Sequence, residues 1–76
     1  MIKITPEIIG KRVRCLRENP FRASEYRQRG LSTEPIGTIN EIENDDVKVT
    51  YDEPIGSYVA WWYERSHVAG YNEGEE

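Results

Sequence analysis

The sequence predicts a small all-β fold, a five-stranded barrel with a short N-terminal helical turn and a long loop after the first strand. The main observation lies in residues 47–51, where Val47, Val49 and Tyr51 alternate with polar side chains. A period of two is typical of a strand with one buried face and one face in water. The preceding residues 36–42 are rich in β-branched side chains, which favour a partner strand.

A tight turn centred on Asn44 and Asp45 is predicted between these two strands. Asn and Asp tolerate positive φ and bond locally to backbone groups, so they suit a hairpin connection. Ile39 and Ile42 are three positions apart, and an unbroken pleat cannot point both into the core. The spacing therefore predicts a bulge or sharp bend near Asn40.

The remaining elements are predicted from caps, turn residues and alternation. Thr5 and Pro6 favour the start of a helix of one or two turns, whose Ile4, Ile8 and Ile9 would plug one end of the barrel. A second turn region is expected at residues 52–56 and a 3₁₀ turn at residues 64–66. The predicted strands cover residues 11–16, 36–42, 47–51, 57–63 and 67–71.

The size of the chain predicts a single domain, and its cysteine content predicts a reducing compartment. A chain of 76 residues supports a single small core, assigned here to residues 1–71, with residues 72–76 as a disordered acidic tail. Cys15 is the only cysteine and His67 the only histidine, so neither a disulfide nor a usual zinc spacing is available. No metal or cofactor is expected. The absence of a signal peptide or a membrane-spanning stretch predicts a soluble, cytoplasmic protein.

Charge divides the chain into two parts. Residues 1–30 hold eight Lys and Arg against three acids, a net charge of +5, whereas residues 31–76 hold two against eleven, a net charge of −9. Two interpretations stay open. The parts can complement each other through weak surface pairs, or the basic part can form a face for phosphates or acidic partners.

Residues 17–35 are predicted to form a long loop, because they show neither periodicity and contain Pro20 and Gly30. Long ordered loops tend to carry function. Tyr26 and Leu31 are expected to pin the loop to the barrel together with Phe21. Two interpretations of this loop stay open. Its arginines can bind phosphates, stacked bases or acidic peptides, or the loop is merely solvated and anchored by its apolar residues. These arginines are Arg17, Arg22, Arg27 and Arg29.

The strand at residues 57–63 has aromatic side chains on both faces. Trp62 alternates with Trp61 and Tyr63, so one tryptophan should be in the core and the other partly exposed; the sequence does not decide which. An exposed tryptophan is a recurrent anchor for a partner. The candidate partner-binding residues are Arg22, Tyr26, Arg27, Arg29, Trp61 and Tyr63.

The order of these strands, with short patterns inside them, resembles SH3-like small barrels. The patterns GKRVR at residues 10–14, IGTI at 36–39 and VKVTYD at 47–52 look like those of small bacterial and phage SH3-like proteins and of mind-bomb-type domains. The resemblance covers residues 10–71 and implies a binding or assembly role. Eukaryotic SH3 domains bind proline-rich peptides with the help of an acidic loop. The corresponding long loop of this chain is basic. Similarity to KOW-type modules implies nucleic-acid binding, although residues 43–46 are acidic.

Catalysis is not indicated by the sequence. Cys15 is expected to be a small core residue and His67 a strand residue, and the carboxylate pairs at residues 45–46 and 52–53 lie at predicted turns. No phosphate-binding glycine loop is present. The prediction is a non-enzymatic module for protein–protein interaction, with nucleic-acid binding through the basic N-terminal segment as the alternative. The oligomeric state, monomer or weak homodimer, stays open.

Overall fold

Five antiparallel strands form one sheet in a computed structural model that describes residues 5–20, 23–55 and 58–71. A 3₁₀ turn over Pro6–Ile8 precedes the first strand, helix α1 spans Ala23–Gln28, and a second 3₁₀ turn spans Arg65–His67. The strands are β1 (Arg12–Cys15), β2 (Ile36–Glu43), β3 (Asp46–Ile55), β4 (Tyr58–Glu64) and β5 (Val68–Gly70). The predicted all-β class and the number of strands are confirmed.

The sheet has the order β4-β3-β2-β1-β5 and is open. Within the described residues no ladder joins β4 to β5, so the prediction of a closed barrel is wrong. The reason lies in β5, which has only three residues and pairs with β1. The backbone N–H of Leu16 continues this pairing by donating to the carbonyl of His67 at 2.7 Å. All three residues of β5 are therefore paired with β1, and none of them extends the strand to β4.

The β2–β3 hairpin follows the prediction closely. Its turn lies at Asn44 and Asp45, and Asn44 adopts the left-handed conformation with φ of 55°. The pairing register shifts between Ile39 and Glu41, which confirms the predicted irregularity near Asn40. Because of this shift Ile39 is fully buried and Ile42 still packs against the core, three residues further on.

The core lies on one face of the sheet. The predicted alternation is confirmed in β1, where Val13 and Cys15 are buried, and in β3, where Val47, Val49 and Tyr51 are buried. Tyr63 of β4 and Val68 of β5 complete this face. At the end near the first 3₁₀ turn Ile8 is buried as expected, but Ile9 is 54% exposed, so its predicted place in the core is wrong; Ile4 lies outside the described residues.

Two predicted irregular regions contain regular structure. The predicted turn at residues 52–56 is part of β3 as far as Ile55, with a register irregularity between Thr50 and Ile55. The predicted loop at residues 17–35 contains helix α1. Six residues are too few to show a helical period, and only Ala23 and Tyr26 mark its buried side.

A Schellman motif ends α1. The N–H of Leu31 donates to the carbonyl of Tyr26 at 2.8 Å, and the N–H of Gly30 donates to that of Arg27 at 3.1 Å. Gly30 has φ of 71°, the left-handed conformation this cap requires. The motif reverses the direction of the chain after α1 and keeps Leu31 close to Tyr26.

Among the described residues no helix is long and apolar enough to cross a membrane. The predicted disordered tail at residues 72–76 lies outside the described residues.

Candidate partner-binding site

A buried cluster of tyrosines attaches the β1–β2 connection, residues 16–35, to the sheet. The hydroxyls of Tyr51 and Tyr63 lie 2.7 Å apart, within hydrogen-bond distance. The amide Nδ2 of Asn19 donates to the Tyr51 hydroxyl at 3.4 Å, and Asn19 is fully buried. The ring of Tyr26 meets that of Tyr51 edge-on, with centroids 6.5 Å apart. Tyr51 therefore contacts both the segment before α1, through Asn19, and α1 itself, through Tyr26.

This environment keeps the acidic protons of the cluster in place. Burial raises the pKa of the Cys15 thiol to about 12, which leaves the thiolate unpopulated at neutral pH. Burial also raises the pKa of Tyr51, and burial together with the hydrogen bond to Tyr51 raises that of Tyr63. The predicted role of Cys15 as a core residue is confirmed by its complete burial.

Two of the predicted partner-binding residues are not on the surface. Tyr26 is 2% exposed and Tyr63 is 4% exposed, because both rings pack in the cluster around Tyr51. Each nevertheless lines a groove, Tyr26 one beside β2 and Tyr63 one beside β4, and a role of either residue in partner binding stays a prediction. The expectation that Tyr26 pins the connection to the sheet is confirmed.

The pairing of β4 with β3 decides which tryptophan is exposed. Trp61 lies opposite the buried Val49 and packs against the core, whereas Trp62 lies opposite Lys48 and is 41% exposed. The prediction of an at least partly exposed tryptophan is confirmed, and the other tryptophan, Trp61, is half-buried against the core. The choice that the sequence left open falls on Trp62 as the exposed one, and partner binding by Trp61 stays a prediction.

The predicted arginines are dispersed. Arg27 donates to both carboxylate oxygens of Glu18, at 3.0 and 2.8 Å, and this pair is exposed to solvent. Arg29 is exposed just after α1. Arg22 lies outside the described residues. The arginines predicted to select a partner are thus represented here by one paired and one solvated side chain.

A groove of about 200 Å³ lies where the β1–β2 connection passes β4, and we call it the tryptophan groove. Its volume is below the range of about 300–1,000 Å³ that is usual for small-molecule pockets. It has room for one or two side chains of a bound chain. Its lining is formed by Arg17, Glu18 and Pro20 from the connection, by residues 61–64 of β4, and by His67.

Charges around the tryptophan groove are nearly balanced. Glu18 is held by Arg27, and the Nδ1 of His67 lies 3.8 Å from a carboxylate oxygen of Glu64. Arg17 is exposed and forms no ion pair with any residue that the structure describes. It is the cation that remains available to a bound group.

Arg17, Pro20, Trp62 and His67 were not predicted as site residues. The sequence carried a signal for Trp62, in the aromatic run of β4, although that signal was ambiguous between two faces, and for Arg17 as one of the arginines of the predicted loop. The others come together only because Asn19 is drawn to Tyr51 and because the 3₁₀ turn brings His67 back beside β4.

Comparison of the chain with protein-family profiles, with curated proteins and with solved structures found no match. Among the described residues no three His, Cys, Asp or Glu side chains are grouped in a way that could hold a metal ion.

Proposed function

We propose that the protein is a non-enzymatic, SH3-like protein-interaction module that binds an extended segment of a partner protein in the tryptophan groove. The observation that carries this proposal is the 41% exposure of Trp62 beside a groove. Tryptophan is costly to leave in water and is enriched among the residues that dominate binding energy at interfaces.

The strand arrangement supports the SH3-like part of the proposal. β1 lies between β2 and β5, the strands β2, β3 and β4 follow as a meander, and a 3₁₀ turn separates β4 from β5. The sequence resemblance rests on the order of these strands along the chain, not on their pairing. An SH3-like module with an open side would leave β4 accessible along its outer edge.

The edge position of β4 supports an extended partner segment. Among the described residues β4 pairs only with β3, and residues 58–63 of β4 carry no charge. Natural edge strands usually carry charges or prolines that discourage pairing, and exposed edges can accept an added strand. A partner segment along this edge would place one side chain against Trp62 and a carboxylate within reach of Arg17.

The test is binding by the Trp62→Ala variant. We expect affinity capture from the native host to recover a partner with the wild-type protein, and the dissociation constant for that purified partner to rise about 30-fold in the variant, as for interface residues that contribute 2 kcal/mol or more. The variant should keep its fold, because Trp62 lies on the solvent face of β4.

A matched control is Ile9→Ala, which removes an apolar side chain with 54% exposure just after the first 3₁₀ turn, outside the tryptophan groove. It should leave the dissociation constant unchanged. Equal affinity of the wild-type and Trp62→Ala proteins for the partner would show that the groove is not the binding site.

A further inference from the structure

A second groove, of about 170 Å³, lies on the other arm of the β1–β2 connection, and we call it the carboxylate-rimmed groove. Its walls are apolar: Tyr26 and Pro35 are buried, and Leu31 and Ile36 are half-buried. The walls are held in place by the backbone. The Schellman motif sets Leu31 beside Tyr26, and the carbonyl of Pro35 accepts a hydrogen bond from the N–H of Cys15 at 2.8 Å.

The rim of this groove is negatively charged. Glu34, Asp52 and Glu53 contribute three carboxylates, against a single base, Arg14. Asp52 is already engaged, because both of its oxygens accept hydrogen bonds from the Arg12 guanidinium. The two glutamates are exposed and form no ion pair with any other residue in the described part of the chain.

Arg14 does not fill the groove with its charge. Its guanidinium carbon lies 5.5 Å from the centre of the Tyr71 ring, an arrangement typical of a cation–π contact. Arg12 and Arg17, the nearest bases before and after Arg14 in the chain, are not among the described residues that line the groove. The rim therefore keeps an excess of negative charge above an apolar floor.

The size and chemistry of the groove select its occupant. A volume of about 170 Å³ is below the range of about 300–1,000 Å³ for small-molecule sites, and suits one amino-acid side chain. Lysine and arginine combine a long aliphatic stem, which packs on apolar surface, with a charged end. We infer that the carboxylate-rimmed groove binds the lysine or arginine side chain of a partner protein, with the stem against Leu31 and Ile36 and the charge at Glu34 and Glu53.

This site is separate from the tryptophan groove. None of the residues that line one groove lines the other, and the two lie along opposite arms of the same connection, before and after α1. The inference therefore does not depend on the proposed function, and each can fail without the other.

The test uses N-acetyl-arginine amide as the probe, followed by amide NMR shifts of the full chain. We expect shifts at Leu31, Ser32, Glu34 and Ile36, with a dissociation constant on the order of millimolar for so small a probe. N-acetyl-norleucine amide has a similar stem without the charge and should bind at least about threefold more weakly, as expected for the loss of exposed charge pairing.

Charge variants of the rim separate this site from general stickiness. Glu34→Gln and Glu53→Gln should each weaken arginine binding about two- to fivefold, and Arg14→Gln should strengthen it about twofold, because exposed pairs have such modest weight. Glu43→Gln changes the same kind of residue at the end of β2 and should have no effect. Glu43 is exposed and does not line the groove.

Three outcomes would overturn the inference. One is the absence of shifts at residues 31–36 up to the solubility limit of the probe. Another is equal binding of the norleucine probe, which would indicate an apolar pocket without charge selection. The third is a shift pattern centred on the Trp62 indole, which would move the probe to the tryptophan groove and leave the carboxylate-rimmed groove empty.

Discussion

Tyr51 and Tyr63 hold the candidate site together through their hydroxyl groups. Their contact at 2.7 Å lies inside the core, and Asn19 extends it to the β1–β2 connection. Buried polar groups are costly unless they are paired, so each hydroxyl depends on the other. This contact also positions one wall of the tryptophan groove, because Asn19 lies in the chain between the groove residues Glu18 and Pro20.

Removing one hydroxyl should therefore weaken the fold. We expect Tyr63→Phe to lower the free energy of unfolding by about 1–2 kcal/mol, since a net hydrogen bond is lost and the Tyr51 hydroxyl keeps only its long bond to Asn19. Urea denaturation measures the change. Tyr71→Phe, whose ring is partly exposed beneath Arg14, serves as the control and should stay within about 0.5 kcal/mol. Equal losses in both variants would argue against the buried pair.

The same residues predict a loss of stability at high pH. Burial raises the pKa of Cys15 to about 12 from the ordinary 9.0, and raises those of Tyr51 and Tyr63 above 10.0. Their stabilising effect is complete below pH 9. Above it the unfolded chain releases protons that the folded protein retains, so the free energy of unfolding should fall by about 1.4 kcal/mol per pH unit for each group that titrates only when unfolded.

Urea denaturation between pH 7 and pH 11 tests this dependence. Cys15→Ala provides the internal control, because it removes the group that titrates first and should delay the onset of the fall by about one pH unit. A free energy of unfolding that stays flat up to pH 11 would contradict the burial of these protons.

Among the secondary-structure elements, β2 has no room for a side chain at Gly37. Gly37 pairs with Val13 on one side and Tyr51 on the other. A Cβ at this position would lie 2.3 Å from the carbonyl oxygen of Thr50 and 2.6 Å from the Cγ1 of Val49. β3 can approach β2 this closely here only because residue 37 has no side chain.

We expect Gly37→Ala to lower the free energy of unfolding by about 1–3 kcal/mol, because the added methyl must displace backbone in the centre of the sheet. Gly70→Ala in β5 is the matched control. Its Cβ would meet the Cε of Lys11 at 3.3 Å, and that flexible side chain can move aside. The prediction fails if the two variants have similar midpoints in urea.

For the whole molecule, the two oppositely charged parts of the chain meet. Arg12 of the basic part pairs with Asp52 of the acidic part, and the Arg12 guanidinium lowers the pKa of Asp52. Within the acidic part, Lys48 and Glu41 pair across the β2–β3 hairpin at 3.1 Å. These exposed pairs contribute little to stability, but they reduce the number of bases that face solvent unopposed.

This charge arrangement predicts weak or no binding to nucleic acid. We expect titration with short single- and double-stranded DNA and RNA at low and moderate salt to produce no salt-sensitive amide shifts. Phosphate binding needs several cations on one surface and weakens steeply with salt. Shifts at residues 17–29 that disappear with added salt would instead favour the nucleic-acid alternative to the proposed function.

The sequence alone determined the local structure of this protein. Alternation predicted the core residues of β1 and β3, the spacing of Ile39 and Ile42 predicted the register shift, and Asn44 predicted the turn. These features follow from short-range rules, in which each side chain reports the face of its own strand. Helix α1 was not predicted, because its six residues make fewer than two turns and show no helical period. Gly30 was nevertheless a usable signal for the end of a helix.

Only the tertiary structure decided the site. Whether Trp61 or Trp62 faces solvent depends on which residues of β3 lie opposite them, and Tyr26 and Tyr63 are buried because three tyrosines from different elements meet. In the described part of the chain the sheet stays open, because a three-residue β5 pairs with β1 alone. Each of these outcomes depends on contacts between residues distant in the chain, which local patterns cannot specify.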